Sequence, residues 1–110
     1  MEIRIDKNDQ DVVVSIIGRM DAVTAPDFDQ EIEKKISEGE KRFVVDLSQL
    51  EYISSAGLRS MLSMAKKLKQ NQGTLALCGL KGVVKEVFDV SGFSSIFSIC
   101  EDVQKARKAL

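Results

Sequence analysis

The sequence predicts an α/β fold: a mixed, mostly parallel sheet of four to five strands with an N-terminal hairpin and about four helices. Two alternating runs, residues 2–5 and 12–17, open the chain on either side of a Lys7-Asn8-Asp9 turn and read as a hairpin. Strand-like and helix-period segments then alternate to the end, the pattern of parallel strands joined by right-handed crossovers. The 110 residues, 44% of them hydrophobic, are enough for one domain (1–110) whose core needs neither disulfide nor metal.

The second strand carries apolar residues on both faces, Val12, Val14 and Ile16 alternating with Val13 and Ile17, and is expected to end at Gly18. Thr24-Ala25-Pro26 reads as a helix start, with Thr24 able to cap free amides and proline tolerated in the first turn. Asp27, Asp29 and Glu31 suit the positive end of that helix, Phe28, Ile32 and Ile36 form its buried stripe, and Gly39 closes it. Residues 43–47 form a continuous apolar run broken by Asp46, as expected of a central strand covered on both faces. A loop over residues 48–53 leads to a second helix starting near Ser54 or Ser55. Its stripe is Leu58, Met61, Leu62, Ala65 and Leu68; Met64 stands at the margin, and Lys66, Lys67 and Lys69 form a solvated face. Residues 74–78 read as a fourth strand. Val83, Val84, Val87 and Phe88 mark a short third helix, residues 95–99 a weak edge strand, and residues 102–110 a terminal helix burying Val103 and Ala106.

Composition excludes several functions. A net charge of −1 with interspersed signs provides no basic face for nucleic acid or an anionic membrane. No apolar run approaches the ~20 residues that span a bilayer, and the first residues lack the pattern of a secretory signal, so the expected location is the cytoplasm, without membrane insertion. The absence of histidine removes Ser-His-Asp and Cys-His catalysis and histidine metal sites, and an enzyme is not expected. Cys78 and Cys100 lack metal-ligand spacing and read as reduced, buried small hydrophobes.

The informative segment runs from Val45 through Leu58, where a central strand ends, a short connection crosses, and two serines meet a helix N-terminus. In open α/β sheets, ligands and partners gather outside the carboxyl ends of the strands. The first amides of a helix have no partner within it, and the dipole adds partial positive charge there. One of Ser54 and Ser55 is expected to cap the helix. Gly57 is expected to let another surface approach the backbone. Asp46 either accepts hydrogen bonds from loop amides and fixes the turn, the favoured reading, or contributes to a partner face.

The segment DLSQLEYISSAGLRSML resembles the signature of the STAS domain, in its anti-sigma factor antagonist branch. Gly18-Arg19-Met20-Asp21 with Thr24-Ala25-Pro26 is similar to that family's turn and first-helix start, and residues 84–93 to its third-helix region. The resemblance covers essentially the whole chain. It implies a partner switch in which Ser55 is the phosphoacceptor, with Ser54 the second candidate. Ser54, Ser55, Ala56, Gly57, Arg59 and Asp46 are then the partner-binding residues. The implied partners are an anti-sigma factor of serine-kinase type, which brings its own ATP and magnesium, and a metal-dependent phosphatase of PP2C type; the chain itself needs no cofactor. Two positions depart from the family pattern: Ser54 stands where the best-known members carry an acidic residue, and Arg59 where they commonly carry a small one. Arg59 projects from the first turn, where pairing with a phosphate is expected to soften the switch.

Two other readings follow. Stand-alone domains of this type also serve as soluble subunits of lipid-transport complexes, which carry no phosphoserine. A small-molecule or nucleotide binder ranks last, because no GxxxxGK[ST] loop or GxGxxG turn is present.

Overall fold

The computed structural model describes residues 1–110. Strands β1 (Glu2–Asn8) and β2 (Asp11–Met20) form the antiparallel hairpin. They are followed by helix α1 (Ala25–Ser37), strands β3 (Arg42–Asp46) and β4 (Leu50–Ile53), helix α2 (Ser55–Gln70) and strand β5 (Thr74–Cys78). Helix α3 (Gly82–Val90), a 3₁₀ turn (Phe93–Ser95), strand β6 (Ile99–Cys100) and helix α4 (Val103–Lys108) complete the chain. The sheet has six strands in the order β1-β2-β3-β5-β6, with β4 added beside β2; every pairing except β1–β2 is parallel.

The sheet separates two apolar layers. Val12, Val14 and Ile16 of β2 with Phe43 and Val45 of β3 face α1, α2 and α3, where Phe28, Ile32, Met61, Leu68 and Phe88 are buried against them. The opposite face is built from smaller residues, Val13, Val44, Ala76 and Cys78, and this lets α4 approach closely through the fully buried Ala106. Burying a side chain such as Phe43 or Leu68 stabilises the fold by about 1.5–3 kcal/mol, so the three-helix face carries most of the apolar stabilisation.

Several boundaries differ from the sequence expectation, each for a physical reason. Residues 50–53 are a strand, not loop. β2 outruns β3, pairing with it only over Asp11–Ser15, and the exposed ladder of Gly18–Met20 is taken up by Leu50–Ile53. Gly18 therefore does not end β2; with φ of +98° it forms the irregularity across which the register shifts from one partner to the next. Thr24 does not cap α1 with its side chain. Its Oγ1 accepts from the Asp21 amide at 2.8 Å, while Asp21 Oδ1 accepts from the amides of Val23 and Thr24, each at 3.0 Å. The expected edge strand at 95–99 is displaced to Ile99–Cys100. Phe88, Phe93 and Phe97 gather with ring centroids 6.0–6.3 Å apart, and this cluster holds the preceding residues in a 3₁₀ turn instead of extended chain. Met64, set at the margin of the second helix's stripe, is buried in the core.

At the amino-terminal end of the sheet, Asp11 ties three elements together. Its buried carboxylate accepts from Arg42 Nε at 2.6 Å through one oxygen and from Arg107 Nε at 2.8 Å through the other, fastening α4 to β2 and β3. The hydrogen bond from Arg107 leads the causes that hold Asp11 below the usual carboxylate range, against an opposing desolvation effect. The folded chain thus binds this proton less tightly than the unfolded chain. The network's contribution is complete above about pH 4, the unfolded value, and is lost as pH falls through the lower folded value. Asp11→Asn is expected to lower stability by about 1–3 kcal/mol at neutral pH, because both arginines are partly solvated. It should also flatten the acid limb of the stability profile. Urea melts between about pH 2 and pH 7 measure both effects.

Candidate functional site

The site forms where β2 and β4 end together. The Ser54 amide donates to the Met20 carbonyl at 2.9 Å, so the chain leaves β4 still attached to the last residue of β2 and turns directly into α2. Ser54, in extended conformation, is the N-cap: its Oγ accepts from the Gly57 amide at 3.3 Å and its carbonyl from the Leu58 amide at 3.0 Å. Ser55 is the first helical residue and is exposed, and its hydroxyl makes no hydrogen bond within the chain. The two adjacent serines thus stand in different states, one engaged and one free. Geometry separates what sequence left open.

Gly57 has a different part from the one expected. It is buried, and a Cβ built on it would lie 2.7 Å from Ile53 Cγ1, 3.1 Å from Met20 Cγ and 3.2 Å from the Met20 carbonyl. Its missing side chain serves close packing of α2 on β2 and β4, not the approach of a second surface. Asp46 also stands apart from the serines. By strand alternation it shares the α4 face of the sheet with Val44, whereas α2 packs on the other face. Its Oδ1 accepts from the Ser48 amide at 3.0 Å, the turn-fixing arrangement. Beside it, Cys78 is pushed up to about 12 by burial and by the neighbouring Asp46 charge, so this thiol stays protonated at neutral pH. Cys100, its register partner on β6, is half-buried, and both are free thiols.

Three further features lie at the same end of the sheet and in the first turn of α2. Ala56 and Arg59 of α2 line a shallow groove of about 410 Å³ against Ala22, Pro26 and Asp29 of the β2–α1 turn and α1. Val23 projects from the same turn with 84% of its surface exposed. The turn is held by ionised Asp21, kept below the usual carboxylate range first by the Thr24 amide and then by the Thr24 hydroxyl. On the sheet side, the Arg19 guanidinium lies 4.2 Å above the Tyr52 ring, two residues before Ser54. Val23, Tyr52 and the groove are not among the residues that the sequence pattern assigns to the site. An apolar residue among turn-formers was the available signal for Val23; the groove joins two helices distant in sequence and left no local signal.

The groove is open and lined mainly by small side chains, unlike the concave, largely apolar pockets that enclose small ligands. No group of three or more Cys, Asp or Glu side chains is placed to hold a metal ion, and no helix is long and apolar enough to cross a membrane.

An N-terminal hairpin feeding a parallel sheet, with three helices on one face and one on the other, defines a small α/β module that presents a helix start at its surface. The chain belongs to the STAS domain family, whose model matches residues 2–106. It is 42% identical over 109 residues to BtrV of Bordetella bronchiseptica, which is named among anti-sigma factor antagonists, covering 99% of this chain and 94% of BtrV. It is 32% identical over 101 residues to the anti-sigma-B factor antagonist of Listeria monocytogenes, covering 90% and 88%. Among solved structures, an anti-sigma factor antagonist from Mycobacterium paratuberculosis superposes with a TM-score of 0.89 at 25% identity, covering 98% of this chain and 92% of that one.

The division between the serines is measurable by mutation. Ser54→Ala is expected to cost about 1 kcal/mol through loss of the cap, whereas Ser55→Ala should stay within about 0.5 kcal/mol. Gly57→Ala should cost about 1–3 kcal/mol through overpacking against Ile53 and Met20. Equilibrium urea denaturation of the three variants tests this ranking.

Proposed function

We propose that this protein is a cytoplasmic anti-sigma factor antagonist that works by partner switching and is not itself an enzyme. In the unphosphorylated state it docks an anti-sigma factor of serine-kinase type through Ser55, Ala56, Arg59 and the adjoining Val23 turn. The kinase transfers the γ-phosphoryl group of ATP to Ser55 Oγ: the new O–P bond forms as the bond to ADP breaks, and the hydroxyl proton passes to a base on the kinase. A phosphatase of PP2C type hydrolyses the ester and restores the hydroxyl. The observation that carries this reading is the exposed Ser55 hydroxyl, free beside a neighbour whose hydroxyl is committed to the cap. The names of the relatives at 42% and 32% identity support the class of partner.

The energetics favour a switch that spares the fold. A phosphate adds about −1.5 to −2 charges. In the free protein it sits at a helix N-terminus, which favours an anion by about 0.3–1 kcal/mol. Inside a docked interface the same group must be desolvated with no countercharge from the docking partner, which costs about 2–5 kcal/mol. The docking term is the larger, weakening association by roughly 30- to several-thousand-fold.

Incubation with the serine-kinase anti-sigma factor and ATP is expected to label Ser55 alone, read by phosphosite mapping. Ser55→Asp should abolish binding to that partner by calorimetry while thermal stability stays nearly unchanged. Full binding by Ser55→Asp would refute the switch, and co-purification of an unphosphorylated chain with a transport complex would replace it with a subunit role.

A further inference from the structure

We propose that Arg59 is an intramolecular clamp for phosphorylated Ser55, so that modification removes a cation from the docking face in the same event that adds an anion. The inference rests on Ser55 as the modified residue and goes beyond that assignment to how the modified state is held.

The chain contains five arginines, and four of them are engaged. Arg4 pairs with Glu2, Arg42 and Arg107 share Asp11, and Arg19 stacks on Tyr52. Arg59 alone has neither a carboxylate nor an aromatic partner. It is exposed and lines the α1–α2 groove in company with Asp29, without forming a bridge to it. It follows Ser55 by four residues on the same helix, and side chains so spaced lie one above the other on one face. An anion placed four residues N-terminal to a cation is the more favourable order of such a pair. Asp29 offers a single charge from across the groove, whereas a phosphate on Ser55 offers up to two from the same face, in a geometry that suits a guanidinium fork. The phosphate is therefore the stronger claimant on Arg59. Once drawn back over the first turn of α2, the guanidinium is no longer available to a carboxylate on the docking partner.

The test installs phosphoserine at position 55 during synthesis of the full chain, without a kinase, and follows the ³¹P signal against pH. The apparent second pKa of the phosphate is expected to be lower by about half a unit in the otherwise wild-type chain than in R59A. R59K should fall between them, because a lysine supplies the charge without the fork. About 1 M salt should remove most of the difference. The Arg59 Nε–Hε resonance should shift on phosphorylation while that of Arg19 stays in place. Because Arg59 is exposed and unpartnered, R59A should retain the wild-type melting profile. Coincident titrations for R59A and wild type would overturn the clamp and leave Ser55 as acceptor intact; failure of a kinase to label Ser55 would remove the acceptor and leave the pairing measurable in the synthetic chain.

Discussion

The start of α2 depends on the absence of one carbon atom. With hydrogen at Gly57, the first turn of the helix settles onto Met20 and Ile53, and the Ser54 amide reaches the Met20 carbonyl. Any side chain there would lift the turn away from the ends of β2 and β4. That contact fixes the direction in which α2 leaves the sheet and the depth of Ser54. It also sets the exposure of Ser55. The surface feature of interest is therefore specified from beneath, by the packing of Gly57 on Met20 and Ile53.

The same arrangement would let the proposed change of charge at Ser55 leave the fold alone. Ser55 takes no part in the cap, the β2–β4 junction or either apolar layer, so a group attached to it displaces nothing. The layers are held elsewhere, by aliphatic and aromatic burial against the three-helix face and by the Asp11 network that fastens α4 at the opposite end of the strands. The proposed docking surface is thus spatially separate from the packing that holds the fold, and on that reading a substitution can be assigned to one or the other by its position.

Much of this was legible in the sequence because the relevant signals are local. The alternation in β1 and β2, the apolar run of β3, the stripe of α2 and the serine pair at its start each lie within a few residues. What was missed depends on distant neighbours. The segment 50–53 becomes a strand only because β2 extends past β3 and leaves an open ladder. Thr24 carried a capping signal but was recruited with Asp21 into a turn that precedes the helix. Met64, peripheral on a helical wheel, is buried because the three-helix layer closes over that side of α2. Gly57 is conspicuous in the sequence, but only the positions of Met20 and Ile53 show that its freedom is used inward. Asp46 lies near the serines in sequence, yet the sheet comes between it and α2.

The position before the proposed acceptor can be understood in the same terms. The family pattern described above favours an acidic residue there, and aspartate and serine are about equally good N-caps, since each offers an oxygen to a first-turn amide. Ser54 Oγ does this for Gly57, so the helix loses little by the replacement. The electrostatic result differs. A carboxylate next to a phosphate would repel it and weaken the attraction between the phosphate and the helix end, whereas a neutral hydroxyl does not. With serine at 54 and an unengaged arginine at 59, the first turn of α2 lacks the adjacent negative charge and gains a nearby positive one. Both departures favour the same state, a phosphate held against its own helix, and this makes their occurrence together physically coherent.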